Sequence, residues 1–551
     1  MKWHIDLSGR LALQAPPAKA VILGLWMLAA LAAQVEAGAP QDRAQPSKQS
    51  TPKLWLLLNE PKAFQGYTLV APLVSTKTYL IDMRGRVIRT WESNYTAGQD
   101  AYLLENGHLL RAARLDSKEQ LFAGAGQGGR VQEFTWEGKL VWDFKFHNAK
   151  QISHHDVARL PNGNVLLIVW EIKTAEETIA AGRRRERVAG PWLVDSIVEI
   201  KPTGMTTGEV VWEWHMWDHL IQDNDSAKAN YGEVGAHPEL IDVNFDQDLV
   251  SPLPRVAQSP KQEEKRKDTL NKLRGIGYVG TAAARGNLGL IADWTHVNSV
   301  AYNADLDQVM ISVRGFNEFW IIDHSTSSAE AASHTGGRSG KGGDLLYRWG
   351  NPRAYRAGTA KDQRLFAQHD AHWIPRGRPG EGHALVFNNG TRRPGGSYSS
   401  VDEIILPVDS QGRYNRRPGS AYGPPDPVWS YAAPKKSDFN DWIMSGAQRL
   451  PNGNTLICDS MKATLFEVTP EKEIVWKYIN SDKGGSPPGG AGRPGSRPGG
   501  FGGPGAFMGA FFGGSVFRAY RYAPDYPGLA GKDLTPGKTI EELQAKELKG
   551  K

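Results

Sequence analysis

The chain has 551 residues, of which 40% are hydrophobic and 23% charged, a composition that excludes fibrous and disordered classes and supplies enough apolar mass for a large core. The formal net charge is only +6 and no basic stripe alternates with aromatics, which argues against nucleic acid as a partner. A single cysteine, Cys458, excludes an internal disulfide, so the fold must rest on buried secondary structure.

In chain order, Lys2, Arg10 and Lys19 precede an apolar run from Ala20 to Ala33 and the small-residue sites Leu31-Ala32-Ala33 and Val35-Glu36-Ala37. The run is short for a membrane span. Residues 1–37 therefore read as a cleaved secretory signal, and the mature chain as periplasmic or secreted, with no stable membrane insertion. Residues 38–60 are largely polar, contain proline and read as a linker.

From residue 61 two patterns recur. The first is a short apolar alternation, a tight turn and a second alternation. It appears as QDAYLLENGHLLRAA from Gln99, HHDVARLPNGNVLLIVW from His154, QHDAHWIPRGRPGEGHALVF from Gln368 and SGAQRLPNGNTLICDS from Ser445, with a degenerate copy, HVNSVAYNADLDQVMISV, from His296. The second is a strand, a turn and a strand bearing tryptophan, at Trp91, Trp142, Trp212, Trp349, Trp429 and Trp476. Four strands per unit in six units predict an all-β fold, a six-bladed β-propeller over residues 61–530. The unit of Trp91 is one strand short, and Ser515 to Pro524 is an alternating segment without a neighbour, so N- and C-terminal strands should close one blade.

Three segments depart from the repeat: residues 215–292, long enough for a lid; residues 484–514, rich in Gly and Pro and expected to be disordered; and a C-terminal tail, 531–551, with one short helical stretch. His215 and His219 stand four apart, a spacing that can grip a metal on a helix face, but with no third ligand close in sequence no metal site is assigned, and no cofactor either. The run Arg183 to Arg187 reads as a solvated loop, and Cys458, in a strand, as a small buried hydrophobe.

Aligning the hairpins on their turns puts His155, Gln99, His296, His369 and Ser445 at one repeat position, the start of a blade's first strand. That strand is the innermost, so three imidazoles, a carboxamide and a hydroxyl should converge on one channel mouth. Histidine supplies general acid, general base or a nucleophilic nitrogen near neutral pH. NNGTRRP, from Asn388 to Pro394, falls on the same face, where Arg392 or Arg393 could grip a tetrahedral oxyanion.

The HHD, DWTHVNSV, QHDA with NNGTRR, and SGAQRLPNGNTLIC stretches resemble the bacterial arylsulfotransferase family over roughly residues 60 to 530. The resemblance implies a periplasmic six-bladed propeller that moves a sulfuryl group from an aryl sulfate to a phenol without a nucleotide donor. It implies a histidine as acceptor of that group, with other histidines and an arginine neutralising the sulfuryl oxygens. His296 and His369 match two family histidines and Arg392 the arginine, with His155, Gln99, Asn298 and Arg393 as further site residues. The family's nucleophilic histidine belongs to a late blade, where this chain has Ser445. A neighbouring histidine takes over, or Ser445 is itself the acceptor with a histidine as base, or transfer is lost. The alternatives to a sulfotransferase are a non-catalytic exported propeller that binds a sulfated or phenolic ligand or a surface glycan, and a quinone-cofactor dehydrogenase, for which no Ca²⁺ site is found.

Overall fold

The structure, a computed structural model, describes residues 55–116, 119, 125–245, 260, 261, 264, 267, 268, 292–482 and 514–549. The stretch read as a secretory signal, most of the stretch read as a linker, residues 246–291 apart from five positions, and residues 483–513, which include all of the Gly/Pro-rich stretch but Gly514, lie outside the described residues.

Six antiparallel sheets account for the repeats. Blade 2 is Ala97–Leu103, Leu109–Arg114, Gly129–Phe134 and Leu140–Lys145; blade 3 is Gln151–Arg159, Val165–Lys173, Trp192–Pro202 and Gly208–His215. Blade 4 is Val297–Asn303, Gln308–Val313, Glu318–Asp323 and Tyr347–Trp349; blade 5 is His369–Trp373, Ala384–Asn388, Ser400–Ile404 and Trp429–Tyr431. Blade 6, Gly446–Arg449, Thr455–Asp459, Thr464–Val468 and Ile474–Ile479, gains a fifth strand, Leu56–Asn59, on its outer edge. The segment expected to be a linker thus already contributes to the ring at its C-terminal end. The middle strands are covered on both faces by neighbouring blades, which is why Val165–Lys173 reads VLLIVWEIK, a nearly continuous apolar run.

Blade 1 closes as the unpaired segments require. Val516–Tyr522 forms its innermost strand, paired with Tyr67–Pro72 from Tyr67↔Tyr522 to Pro72↔Val516, followed outward by Lys77–Ile81 and Val87–Glu92. The tail helix, Ile540–Lys549, packs Ile540 into the core beside Tyr478.

The recurrent tryptophans hold one blade to the next. Each indole Nε1 donates to the outer turn of the following blade: Trp91 to Thr135 O (2.9 Å), Trp142 to Thr207 O (3.2 Å), Trp212 to Thr326 Oγ1 (3.1 Å), Trp349 to Pro424 O (2.7 Å), Trp429 to Pro470 O (2.9 Å) and Trp476 to Met83 O (3.0 Å). The last bond joins blade 6 back to blade 1. Replacing Trp476 by Phe keeps most of the buried ring and removes only the bond, so it should cost ~1–2 kcal/mol in urea unfolding; Trp476→Ala should cost ~3–5 kcal/mol. A Trp476→Phe variant as stable as the wild type would mean that the bond does not matter.

The insertion leaves blade 3 after His215, paired with Ser196, and returns at Ala292–Asp293, which pairs with Trp192 and Leu193. These positions lie at the end of the ring where the inner strands begin. Its described root carries a short parallel pair, Leu220–Ile221 with Ile241–Asp242. Arg183 departs from the expected solvated loop. It is buried against Trp192 and donates to Val243 O at 2.9 Å, while Arg184 to Arg187 are exposed. Cys458 is a buried free thiol whose pKa burial raises, as a packing residue requires.

Candidate active site

The aligned position behaves as one structural device. The inner strands of blades 2, 3, 4 and 5 each carry a β-bulge near their start. Gln99, His155, His296 and Ser445 all adopt left-handed backbone, with φ of 111°, 51°, 50° and 94°. Non-glycine residues pay a strain for that conformation, and it recurs here at one point in four blades, turning each side chain toward the channel. His369 keeps strand geometry, and the positive φ falls on Asp370 (56°) instead. All five residues are buried. Blade 1 supplies a sixth member that sequence alignment missed, Phe517, whose ring centroid lies 5.9 Å from that of His155 and 6.3 Å from that of His369.

The three imidazoles are anchored in the same sense. His369 Nδ1 lies 2.8 Å from Asn389 Oδ1. The Asn389 amide nitrogen donates to Asp441 O and Met444 O, which fixes its oxygen toward the ring. His296 Nδ1 bonds Asp293 Oδ2. His155 Nδ1 lies 2.7 Å from His154 Nδ1, and His154 Nε2 lies 2.8 Å from Asp195 Oδ1, so the chain Asp195–His154–His155 directs the His155 proton onto Nδ1. His154 stacks on Trp170 at 3.8 Å, and the His155 and His296 centroids are 4.8 Å apart. With the proton held on Nδ1, each ring presents Nε2 as its lone-pair nitrogen.

Burial sets the charge state. It holds the pKa of His155 well below the ordinary histidine value, with further lowering from His296, His154 and His369. It lowers His369 likewise, reinforced by the charge of Arg314. Both rings are therefore neutral, the nucleophilic form. His369 Nε2 is buried with no hydrogen-bond partner, as are both ends of the Gln99 amide, both ends of the Gln127 amide and Asn298 Oδ1. Two of these groups, His369 Nε2 and the Gln99 amide, belong to the aligned channel position, as a place built for a polar ligand requires.

Below this layer the channel is plugged. The residue after the aligned position is aspartate in three blades, and Asp100, Asp156 and Asp370 converge on Arg518, the neighbour of Phe517, at 2.7, 2.8 and 3.3 Å. Gly446 holds the equivalent place in blade 6; a Cβ there would meet Asp370 Oδ2 at 2.4 Å and Arg518 Cγ at 2.8 Å, so only glycine lets the guanidinium pass. The repeated dipeptides QD, HD and HD carry this signal in the sequence.

The remaining expected residues sort as follows. Ser445 Oγ accepts the N–H of Ser460 at 3.1 Å. Asn298 spends its amide nitrogen on Gln368 O (2.8 Å), clasping blade 4 to blade 5. Arg392 stands exposed at φ 61° in the turn after Asn388. Arg393 is half-buried, donating to Ser400 Oγ and stacking on Tyr398. Besides Arg518, Arg314 is buried where its charge acts on His369, and its backbone N–H donates to His296 O; it follows a hairpin strand and carries no motif of its own. His215 and His219 do not share a ligand position: His215 pairs with Glu171 (2.9 Å) and His219 with Asp344 (2.8 Å).

The model of one family, Arylsulfotransferase (ASST), matches residues 47–485. The chain is 23% identical over 402 residues to an arylsulfate sulfotransferase of Escherichia coli O6:H1, a match covering 71% of this chain and 58% of that relative's length. A protein of unknown function from Bacteroides caccae is 11% identical, with a TM-score of 0.37 over 76% of this chain and 94% of its own. The periplasmic gluconolactonase of Pseudomonas aeruginosa is also 11% identical, with a TM-score of 0.33 over 75% and 96%.

Proposed function

This chain belongs to the arylsulfotransferase (ASST) family, and from that premise we propose that it transfers a sulfuryl group from an aryl sulfate to a phenol, with His369 Nε2 as the group's temporary acceptor. The observation that carries the reading is the orphaned, buried Nε2 of a neutral imidazole whose other nitrogen is tied to Asn389. In the first step the Nε2 lone pair attacks sulfur, the N–S bond forms and the S–O bond to the aryl group breaks, releasing a phenolate. The phenolate leaves as the anion and takes its proton from solvent, while His296, oriented by Asp293 through Nδ1, keeps its Nε2 lone pair for the second step. In the second step His296 takes the proton of the acceptor phenol, whose oxygen attacks sulfur as the N–S bond breaks. Gln99 offers amide donors to the sulfuryl oxygens, and Arg314, with Arg392 or Arg393, offers positive charge. Phe517 gives the aryl ring a face to pack against.

The root of the 215–292 insertion enters and leaves at the same end of the ring, which supports a lid over this mouth. Export to the periplasm or beyond follows from the reading of residues 1–37, and fractionation with N-terminal sequencing tests it.

Incubation with a chromogenic aryl sulfate and a phenol tests the activity. Phenol-dependent release of chromophore with a sulfated phenol as product supports transfer; saturable binding without turnover makes the protein a receptor for aryl sulfates. The pH profile adds a second check. Because burial already keeps His369 neutral, kcat/KM should stay flat from pH 8 down through about 6.5, the ordinary histidine value, with its acid limb below that. Stability has the same sign. The unfolded chain takes up protons below about pH 6.5 that folded His155 and His369 refuse, so the urea midpoint should fall as pH drops through that point. A kcat/KM halved at pH 6.5 would show an ordinary, unperturbed imidazole.

A further inference from the structure

We propose that His219, His334 and Asp344 form a binding site for a divalent ion of the zinc class, separate from the channel. Their ligand atoms lie within 4.8 Å of one another. They come from two parts of the chain: His219 ends the Met216–His219 turn at the root of the insertion, and His334 and Asp344 lie within the loop between the last two strands of blade 4.

The protonation pattern points to a cation. His219 Nε2 lies 2.9 Å from Ala331 O, and a carbonyl only accepts, so Nε2 carries the proton. That leaves the Nδ1 lone pair of neutral His219 facing Asp344 Oδ1 at 2.8 Å, and the same oxygen lies 2.8 Å from His334 Nδ1. Two acceptors at that separation need a positive centre between them, either an extra proton or a metal. The surroundings favour the metal. An imidazole whose far nitrogen donates to a backbone carbonyl is the usual outer support of a metal-bound histidine. The pocket is also pre-shaped: Trp214 stacks on His219 at 10° between planes and fixes Gly343 by donating to its carbonyl (2.7 Å). A Cβ on Gly343 would fall 1.9 Å from Ala331 O and 2.6 Å from His219 Nε2, so no other residue fits beside the ligands.

Two nitrogens and one carboxylate oxygen with an open fourth position suit Zn²⁺, whose bonds of about 2.0–2.2 Å require the ligands to part slightly from their present contact. His334 can give that distance, because it stands at the solvent-exposed end. It also lines a cavity of about 480 Å³ with Trp217, Tyr231 and His237, from which water can complete the shell. A bound ion would pin the root of the insertion to blade 4.

The test uses untagged, chelator-treated full-length protein. Titration with Co²⁺ should give tetrahedral visible bands saturating at one ion per chain, and Zn²⁺ should displace it and raise Tm. His334→Gln, at the exposed end of the site, should fold with the Tm of the metal-free wild type, bind Co²⁺ at least ~10-fold more weakly and lose the Zn²⁺-dependent rise. Asp344→Asn should behave likewise. An absence of saturable Co²⁺ binding, or unchanged binding in His334→Gln, would overturn the proposal and leave the trio as an imidazolium paired with a carboxylate.

Discussion

A chain ended at Gly514 should not form the ring. The missing residues include the innermost strand of blade 1, so Tyr67–Pro72 would become an exposed inner edge and blades 2 and 6 would lose the strand they pack on. Two buried charges would also go. Arg518 answers Asp100, Asp156 and Asp370, and Arg521 answers Glu467, so four buried carboxylates would be left without their cation. Removing one partner of a buried ion pair costs ~3–5 kcal/mol, and two such losses approach or exceed the ~5–15 kcal/mol that holds a typical domain together. Circular dichroism and size exclusion should therefore report an unfolded or aggregated product; a truncated protein with the melting temperature of the full chain would refute the closure argument. Arg518→Met isolates the electrostatic part, because it keeps the strand and most of the side-chain volume, and should cost ~3–5 kcal/mol. Asp100→Asn should recover some of that loss. Burial first, and then Asp156 and Asp370 against the opposing pull of Arg518, raise the Asp100 carboxyl to about 7. Its folded pKa exceeds the unfolded value of 3.8, so its contribution to stability declines as pH rises from about 4 through 7. The asparagine variant should remove that decline, most visibly at pH 8.

The ring was legible because its signals are periodic. A hairpin with an Asn-Gly turn and a tryptophan strand mean little once, yet each recurrence fixed a blade, and the six indole bonds explain why tryptophan keeps its place. The channel histidines were legible by the same alignment. Periodicity failed where the residue belonged to no repeat. Phe517 and Arg518 sit on a strand with no hairpin turn to align, and Arg518 reaches Asp156 across 362 positions of sequence. Only the twin observation that aspartate follows the aligned residue three times could have demanded a central cation. Arg392 was singled out because NNGTRR is a recognisable string, whereas Arg314 is anonymous in sequence and reaches the imidazoles through burial. Spacing alone could not place His215 and His219: four residues apart is the interval of one helix face, but the segment is a short 3₁₀ turn that sends the two rings to different carboxylates.

The sharpest expectation about chemistry separates His369 from Ser445. If His369 Nε2 accepts the sulfuryl group, His369→Ala should lower kcat/KM for an aryl sulfate by ~10³-fold or more, the scale of losing a nucleophile that the remaining donors cannot replace. His296→Ala should cost at least ~100-fold as the loss of the positioned base for the acceptor phenol. Ser445→Ala should stay within a few-fold of wild type, since its hydroxyl accepts the Ser460 N–H and the backbone supports that turn without it. Asn389→Leu should lower kcat more than it raises KM, because it leaves His369 in place but frees the proton to move to Nε2 and quench the lone pair. Chemical trapping decides between the two acceptors. Label from a radioactive aryl sulfate, quenched before phenol is added, should be retained at alkaline pH and lost in acid, as an N–S bond is, and should disappear in His369→Ala while persisting in Ser445→Ala. Ser445→His adds the imidazole that the family resemblance places in the last blade, and should create a second labelled site if the channel can seat the substrate from that side. Label that survives in His369→Ala and vanishes in Ser445→Ala would transfer the role to the serine, leaving His369 as a polar wall of the pocket with its orphaned nitrogen turned toward substrate as an acceptor alone.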